Sequence, residues 1–195
     1  MSERGSNRRA LLDAAVRCVQ ETGYARTTAR DLVAASGTNL GAIGYHFGSK
    51  EALLNEGLAE CCRQWLRQLT DVAGNASSGG GVSDALETAY EALAANRALG
   101  VAYVEAWSQA QRSPELRSQL AEHYAEFREM TAAVVHAAVY GQSPTMSAAD
   151  LDALATATIA LTDGLLVQWL LDPSSLPSPP QLASAVRALA ASQPT

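Results

Sequence analysis

Residues 27–54 read TTARDLVAASGTNLGAIGYHFGSKEALL, and the punctuation of that stretch decides the architecture. Thr27 or Thr28 can cap a short helix, because a hydroxyl oxygen accepts one of the amide protons left orphaned at a helix start. That helix runs through Ala35 and stops at Gly37, a residue suited to the left-handed turn of a helix end. Thr38 or Asn39 can cap a second, very short helix to about Tyr45. Ser49 then caps a long one, with Glu51 in its first turn where the helix dipole favours an acid. Two short helices joined by a glycine-containing turn form a helix-turn-helix candidate, whose second helix enters the major groove and meets base edges with its N-terminal residues. Ile43 and Phe47 have the spacing that pins this second helix to a core, with Leu32 and Val33 available on the helix before it. Thr38, Asn39, Gly41, Ala42 and Tyr45 are left to face outward. An ordinary helical hairpin gives the same pattern, so periodicity alone leaves both readings open.

Upstream, Leu12, Ala15, Val16 and Val19 fall at helical spacing, and Gly23 stops that helix. Downstream of Ser49 the face Leu54, Leu58, Cys61, Trp65 and Leu69 keeps the period to about Val72. Residues 75–81, NASSGGG, have the composition of a flexible linker. Leu86, Tyr90 and Leu93 then mark a fifth helix, and Leu99, Tyr103 and Ala106 a sixth. Ser113-Pro114 starts a long seventh whose face carries Leu116, Leu120, His123, Phe127, Met130 and Val134, closed by Gly141 and Pro144. Ser147, three residues before Asp150, resembles a capping box and opens an eighth helix that Asp172-Pro173 ends. Ser178-Pro179 starts a ninth to about Ala191. No run alternates apolar and polar residues as a strand requires, so the predicted fold class is all-α, with about nine helices.

Composition narrows the function classes. At 195 residues, 48% apolar and 17% charged, the chain is long enough to bury a core without disulfide or metal staples and too apolar to be disordered. Cys18, Cys61 and Cys62 are too few for a secreted disulfide framework and lack the spacing of a zinc site. The arginine-bearing N-terminus lacks the apolar run of a signal peptide, so a cytoplasmic protein is expected. Residues 153–171 are nearly long enough to span a bilayer, but Asp163 lies within them, and a mid-membrane Asp costs roughly 2.5–3.5 kcal/mol. A helix covered on one side by its own core and on the other by a partner has the same composition without that cost, so no membrane is expected.

The net charge of −6 hides an asymmetry. Residues 1–50 hold seven basic and four acidic side chains, +3, whereas the rest holds seven and sixteen, −9. A basic quarter on an acidic body suggests that one end meets an anion.

Residues 27–54 also resemble the DNA-binding signature of the TetR family of bacterial transcriptional regulators. The Thr-Thr opening, the Ala-Ala-Ser-Gly turn, the Gly-Ala-Ile-x-Tyr-His-Phe block and the closing Ser-Lys-Glu-Ala-Leu-Leu match in order and spacing. The specific match covers about the first 60 residues; Trp107 and Ser113-Pro114-Glu115-Leu116-Arg117 are similar to the C-terminal part of several branches. The resemblance implies a helix-turn-helix DNA-binding domain at residues 1–48 and a ligand-binding and dimerisation domain at 49–195, joined by the helix 49–73. It implies phosphate contacts from Thr28, Tyr45, His46 and Lys50 and base contacts from Asn39, Leu40, Gly41 and Ala42, with Thr27, Arg30 and Thr38 alongside. Phosphate contacts orient without reading sequence. Gly44 departs from the family, standing where most members have a phosphate-binding tyrosine, and Ala29 stands where some have a basic reader. Asn39 could pair with adenine, and the Ala42 methyl could meet a thymine methyl. Arg30 could supply what Ala29 cannot, and Arg4, Arg8 and Arg9 form either a DNA-reaching arm or a solvated tail.

Eight of the eleven aromatic residues lie beyond the DNA-binding part. Small-molecule sites are apolar and aromatic with a few fixed polar groups, and in resembling proteins the fifth to seventh helices enclose a ligand cavity. Candidate effector contacts are therefore Trp65, Tyr90, Tyr103, Trp107, His123, Phe127 and Trp169, each of which could instead simply fill core. The eighth and ninth helices are expected to form the homodimer interface through Ala157, Ala160, Leu161, Gly164, Leu165, Val186 and Leu189. Cys61-Cys62 invites a redox reading, but adjacent helical residues point about 100° apart, so one is expected in the core and the other half exposed.

The expectation is a homodimeric repressor on a palindromic DNA operator, released by a small-molecule effector of unidentified structure. No catalytic residue, metal or cofactor is expected; a helical enzyme using His46 or His123 lacks any supporting cluster. The alternative of another class is a helical protein-interaction adaptor that has lost specific DNA binding.

Overall fold

The structure, a computed structural model, describes residues 3–76, 87, 90–91, 93–140 and 147–191. Among these residues every regular element is a helix. The helices are α1 (Glu3–Thr22), α2 (Ala29–Ser36), α3 (Leu40–Phe47), α4 (Lys50–Ala76), α5 (Arg97–Ala110), α6 (Pro114–Tyr140), α7 (Ala148–Leu171) and α8 (Pro179–Ala191), with a 3-10 turn at Pro173–Ser175. The predicted fifth helix falls largely outside the described residues, although Tyr90, Glu91 and 93–95 are helical. The proposed stops Gly141 and Pro144 also lie outside, as does most of the predicted linker; Asn75 and Ala76 still belong to α4.

The chain divides into two compact units. The first holds residues 1–65 and 98–123. Its α1 stops where Gly23 turns left-handed (φ 87°) and donates its N–H to the Val19 carbonyl. The buried face of α1 keeps Ala15, Val16 and Val19 of the predicted stripe and adds Leu11 and Ala14, both fully buried, whereas Leu12 is half-buried. The reason is that α1 packs against both α2 and α3, which widens and turns its covered arc. The first half of α4 is covered over a wider arc still, with Leu53, Leu54, Leu58, Cys61, Cys62 and Trp65 all at 1% exposure or less. Gln20 of α1 meets Cys61 from one side, and the Tyr103 ring of α5 meets Trp65 from another. Cys62 is therefore as buried as Cys61 rather than half exposed, because neighbours on two sides cover adjacent helix positions.

The second unit holds residues 66–97 and 124–195. Ser147 caps α7 by accepting the Asp150 N–H at 3.1 Å, and Asp172 ends it. The Asp172 carboxylate then accepts from the Ser174 hydroxyl and backbone N–H, which hold its carboxyl below the usual range and start the 3-10 turn. Ser178 opens α8 by donating its N–H and hydroxyl to Gln181 Oε1. Asp163, the acid that argued against a membrane span, accepts a 3.0 Å hydrogen bond from the Tyr124 hydroxyl. Although α7 is long and apolar enough to cross a bilayer by composition, only 22% of its most apolar stretch is buried within the protomer. The apolar face of α6 is covered at Leu116, Leu120 and Phe127 but is open at Met130.

Candidate nucleic-acid interface

The α2–α3 pair is built from reciprocal local bonds. Thr28 caps α2 with a full capping box: its Oγ1 accepts the Asp31 N–H, while the Asp31 carboxylate accepts from the Thr28 N–H at 2.8 Å and hydroxyl at 2.7 Å. Those bonds hold the Asp31 carboxyl below its ordinary range. Gly37 takes the left-handed conformation (φ 68°) that ends α2. Asn39 caps α3, its Oδ1 accepting the Ala42 N–H at 3.1 Å. Leu32 and Ile43, at 0% and 4% exposure, anchor the two helices. Arg17 of α1 donates to the Ala35 carbonyl at the end of α2, a tie between distant segments that no local pattern announces.

The proposed DNA contacts divide into outward and occupied groups. Tyr45 is exposed and meets His46 edge-on at 4.8 Å between ring centroids. Thr28, Arg30, Asn39, Leu40 and Gly41 are exposed, while Thr38, Ala42, His46 and Lys50 are half-buried. Thr27 is 1% exposed and donates its hydroxyl to the Gly23 carbonyl at 2.8 Å, so this side chain holds the turn from within and offers nothing to a partner. Lys50 Nζ donates to the Thr27 carbonyl and lies 3.6 Å from Glu51. Arg26, absent from the sequence-based set, is exposed beside the motif, with Nε donating to the Thr22 carbonyl. Its signal was available: a basic residue two positions before the cap of α2.

Arg4, Arg8 and Arg9 all lie within α1. Arg8 pairs with Glu56 at 2.6 Å with its guanidinium 4.9 Å from the Phe47 ring centroid, and Arg9 pairs with Asp13 one turn on.

Behind the α2–α3 pair, within the same unit, a set of long-range bonds converges on Tyr24. Glu105 of α5 accepts the Tyr24 backbone N–H. The Tyr24 hydroxyl donates to Asn55 Oδ1, and Asn55 Nδ2 donates to Ser113 Oγ at the start of α6. Either side of Glu105 lie Tyr103 and Trp107, their ring centroids 4.9 Å apart, and Trp65 is 5.9 Å from Tyr103. The Trp65 indole N–H and the Gln119 carboxamide oxygen are buried without a hydrogen-bond partner among the described residues. His123 in this unit is half-buried. Of the candidate effector contacts in the other unit, Tyr90 donates to the Pro177 carbonyl, Phe127 is buried and Trp169 carries the Arg97 guanidinium 5.2 Å from its ring centroid.

On α7, Ala157, Ala160 and Leu161 are exposed and Gly164 is half-buried, whereas Leu165 is taken up by the protomer's own core. On α8, Val186 is half-buried, and the side chain of Leu189 lies outside the described residues.

Comparison with known proteins identifies both parts of the chain. Residues 11–56 match the family described as bacterial regulatory proteins, tetR family, and residues 80–194 match the BetI-type transcriptional repressor, C-terminal. The chain is 24% identical over 168 residues to the HTH-type nicotine-responsive transcriptional repressor HdnoR of Paenarthrobacter nicotinovorans, covering 86% of this chain and 85% of the relative. It is 29% identical over 139 residues to the HTH-type transcriptional repressor KstR2 of Rhodococcus jostii (strain RHA1), covering 71% and 68%. A transcriptional regulator from Saccharomonospora viridis, solved in complex with choline, superposes with a TM-score of 0.66 at 22% identity over 95% of this chain and 96% of that one. With the family matches spanning the α2–α3 reader and more than half of the length, the chain belongs to the tetR family of bacterial regulatory proteins and is a ligand-responsive DNA-binding transcriptional repressor.

Proposed function

We propose that this repressor acts as a cytoplasmic homodimer on a palindromic operator and is released by a small organic effector. Residues 1–48 serve as the DNA-binding domain and 49–195 as the ligand-binding and dimerisation domain. The single observation that carries the DNA reading is the outward face of α3, with Tyr45 at 69% exposure, beside the exposed cations Arg26 and Arg30. Thr28, Tyr45, His46 and Lys50 bind phosphates and set the register; the first turn of α3 meets base edges. Two-fold symmetry then places paired recognition helices about 34–36 Å apart, or a multiple of that.

Trp65, Tyr103 and Trp107 are the proposed effector contacts, supported by their ring cluster and by the buried, unpartnered Trp65 N–H. Nicotine, to which one similar repressor is responsive, and choline, with which a similar regulator was solved in complex, carry a basic or quaternary nitrogen. Aromatic faces attract such groups by about 0.5–2 kcal/mol each, so an organic cation is the proposed effector class. Release follows from linkage: an effector that favours the conformation with lower operator affinity weakens DNA binding by the same factor that DNA weakens effector binding.

The test is a gel shift on the DNA upstream of its own gene, at two salt concentrations, with choline and nicotine titrated in. Specific binding that weakens steeply with salt and is lost as the tryptophan fluorescence responds supports the reading. Absence of DNA binding at low salt favours the adaptor alternative.

A further inference from the structure

The outward surface of α3 is unusual for a base reader in what it lacks. Gly41 and Gly44 are exposed and carry no side chain, Ala42 is half-buried, and the Thr38 hydroxyl lies 2.7 Å from Ser36 Oγ. Asn39 is the one carboxamide in the first turn, and its oxygen is already committed to the Ala42 N–H. A Cβ at Gly41 would stand 3.2 Å from that oxygen, which shows how closely the Asn39 head is folded back over the helix. Pairing with adenine needs the oxygen and the NH₂ presented together to one base edge, which would give up the cap. What remains pointing away from the core at the N-terminal end of α3 is Leu40, at 56% exposure.

We propose that Leu40 is the specificity-determining residue of this repressor and that it recognises the 5-methyl group of thymine in the major groove. The inference rests on the DNA-binding reading above and adds the chemistry of readout. The major groove offers one apolar group, the thymine methyl, and every other feature of the base edges there is a donor or acceptor that a leucine cannot satisfy. The exposed cations Arg26 and Arg30 lie outside α3 and supply attraction to the phosphates, so within α3 discrimination falls to this apolar contact. The glycines that follow it, Gly41 and Gly44, let the helix backbone approach the groove floor closely enough for a side chain as short as leucine to reach it.

Selection of bound duplexes from a randomised inverted-repeat library tests this with the full-length protein. Enriched half-sites are expected to fix thymine at one position facing the first turn of α3. Replacing that thymine by uracil removes only the methyl group. Affinity is then expected to fall about fourfold for one half-site and about fifteenfold for both, from roughly 0.8 kcal/mol per buried carbon group. Leu40→Ala should bind the thymine and uracil duplexes equally while keeping its helical circular dichroism. Asn39→Ala should weaken binding yet preserve the thymine preference. Enriched sites with no fixed thymine, or a wild-type protein indifferent to uracil, would overturn the proposal and leave DNA binding standing. Failure to enrich any duplex overturns both.

Discussion

Both carboxylate oxygens of Glu105 receive the backbone N–H of Tyr24, at 3.2 and 3.0 Å, joining α5 to the turn that leads into the capped start of α2. The Tyr24 phenol is pushed above its ordinary range by burial and by the charges of Glu51 and Glu105, so it remains a donor to Asn55 at any physiological pH. A carboxylate holds an N–H more tightly than a neutral acceptor does. Glu105→Ala leaves that partly buried N–H unpaired and should lower stability by about 1–3 kcal/mol. Glu105→Gln keeps an acceptor oxygen and should lose less. Urea denaturation midpoints check the order, and amide exchange at Tyr24 should accelerate in the Ala variant first.

A second prediction concerns the crossing of α1 and α4. A Cβ added at Gly57 would meet Ala15 Cβ at 3.0 Å and the Ala15 carbonyl carbon at 3.3 Å. Backbone cannot step aside as a side chain can, so Gly57→Val should be destabilising by about 1–3 kcal/mol through overpacking. Thermal and urea denaturation read it directly; a variant as stable as the wild type would mean that the helices separate freely.

Gly44 gives the opposite sign. Nothing lies within 4 Å of a Cβ built there, and alanine favours a helix interior by roughly 1 kcal/mol over glycine. Gly44→Ala should therefore stabilise α3 and increase amide-exchange protection of the DNA-free protein. In the wild type, operator DNA should supply part of that protection; equal exchange with and without DNA would count against ordering on binding.

Leu161 is 41% exposed on α7 amid Ala157, Ala160 and Gly164. In the proposed homodimer, Leu161→Glu sets an unpaired carboxylate against its symmetry mate. Such burial is strongly unfavourable, so the dimer should weaken at least a hundredfold, on the order of 2.7 kcal/mol. Sedimentation velocity at micromolar concentration is expected to show monomers with unchanged helicity. A persistent dimer would place the interface elsewhere.

The cysteines provide a pH-dependent test. Burial pushes the Cys61 thiol up to about 11 from 9.0, against a smaller opposing contribution from Gln20. A group kept neutral in this way stabilises the fold fully below pH 9, and that contribution is lost as pH rises towards 11. Cys61→Ala should flatten the decline in stability over that window. At pH 8 none of the three buried cysteines should react with a thiol reagent in the native protein, and all should react in urea.

What could be read from the sequence was local. Thr28, Gly37, Asn39 and Ser49 announce helix ends because capping acts across three or four residues, and the face from Leu54 to Leu69 is written in its period. Contacts between distant segments carry no such mark. Nothing in residues 97–110 says that Glu105 will meet a backbone N–H eighty-one positions earlier. Nor does the basic N-terminus reveal that Arg8 will lie on Phe47. The burial of Thr27 and of Cys62 escaped for the same reason: each depends on a neighbour supplied by another helix. Asn39 is a subtler case, since one carboxamide suits either a cap or a base, and only its placed oxygen shows it turned inward.

The bare flank of α7 also bears on how much of this protein a cell must hold. Where a second copy shields that flank, melting obeys mass action, and the midpoint climbs as the solution is made more concentrated. Dilution would then do two things at once: it empties the operator, and it leaves each orphaned chain with a greasy side on which to clump.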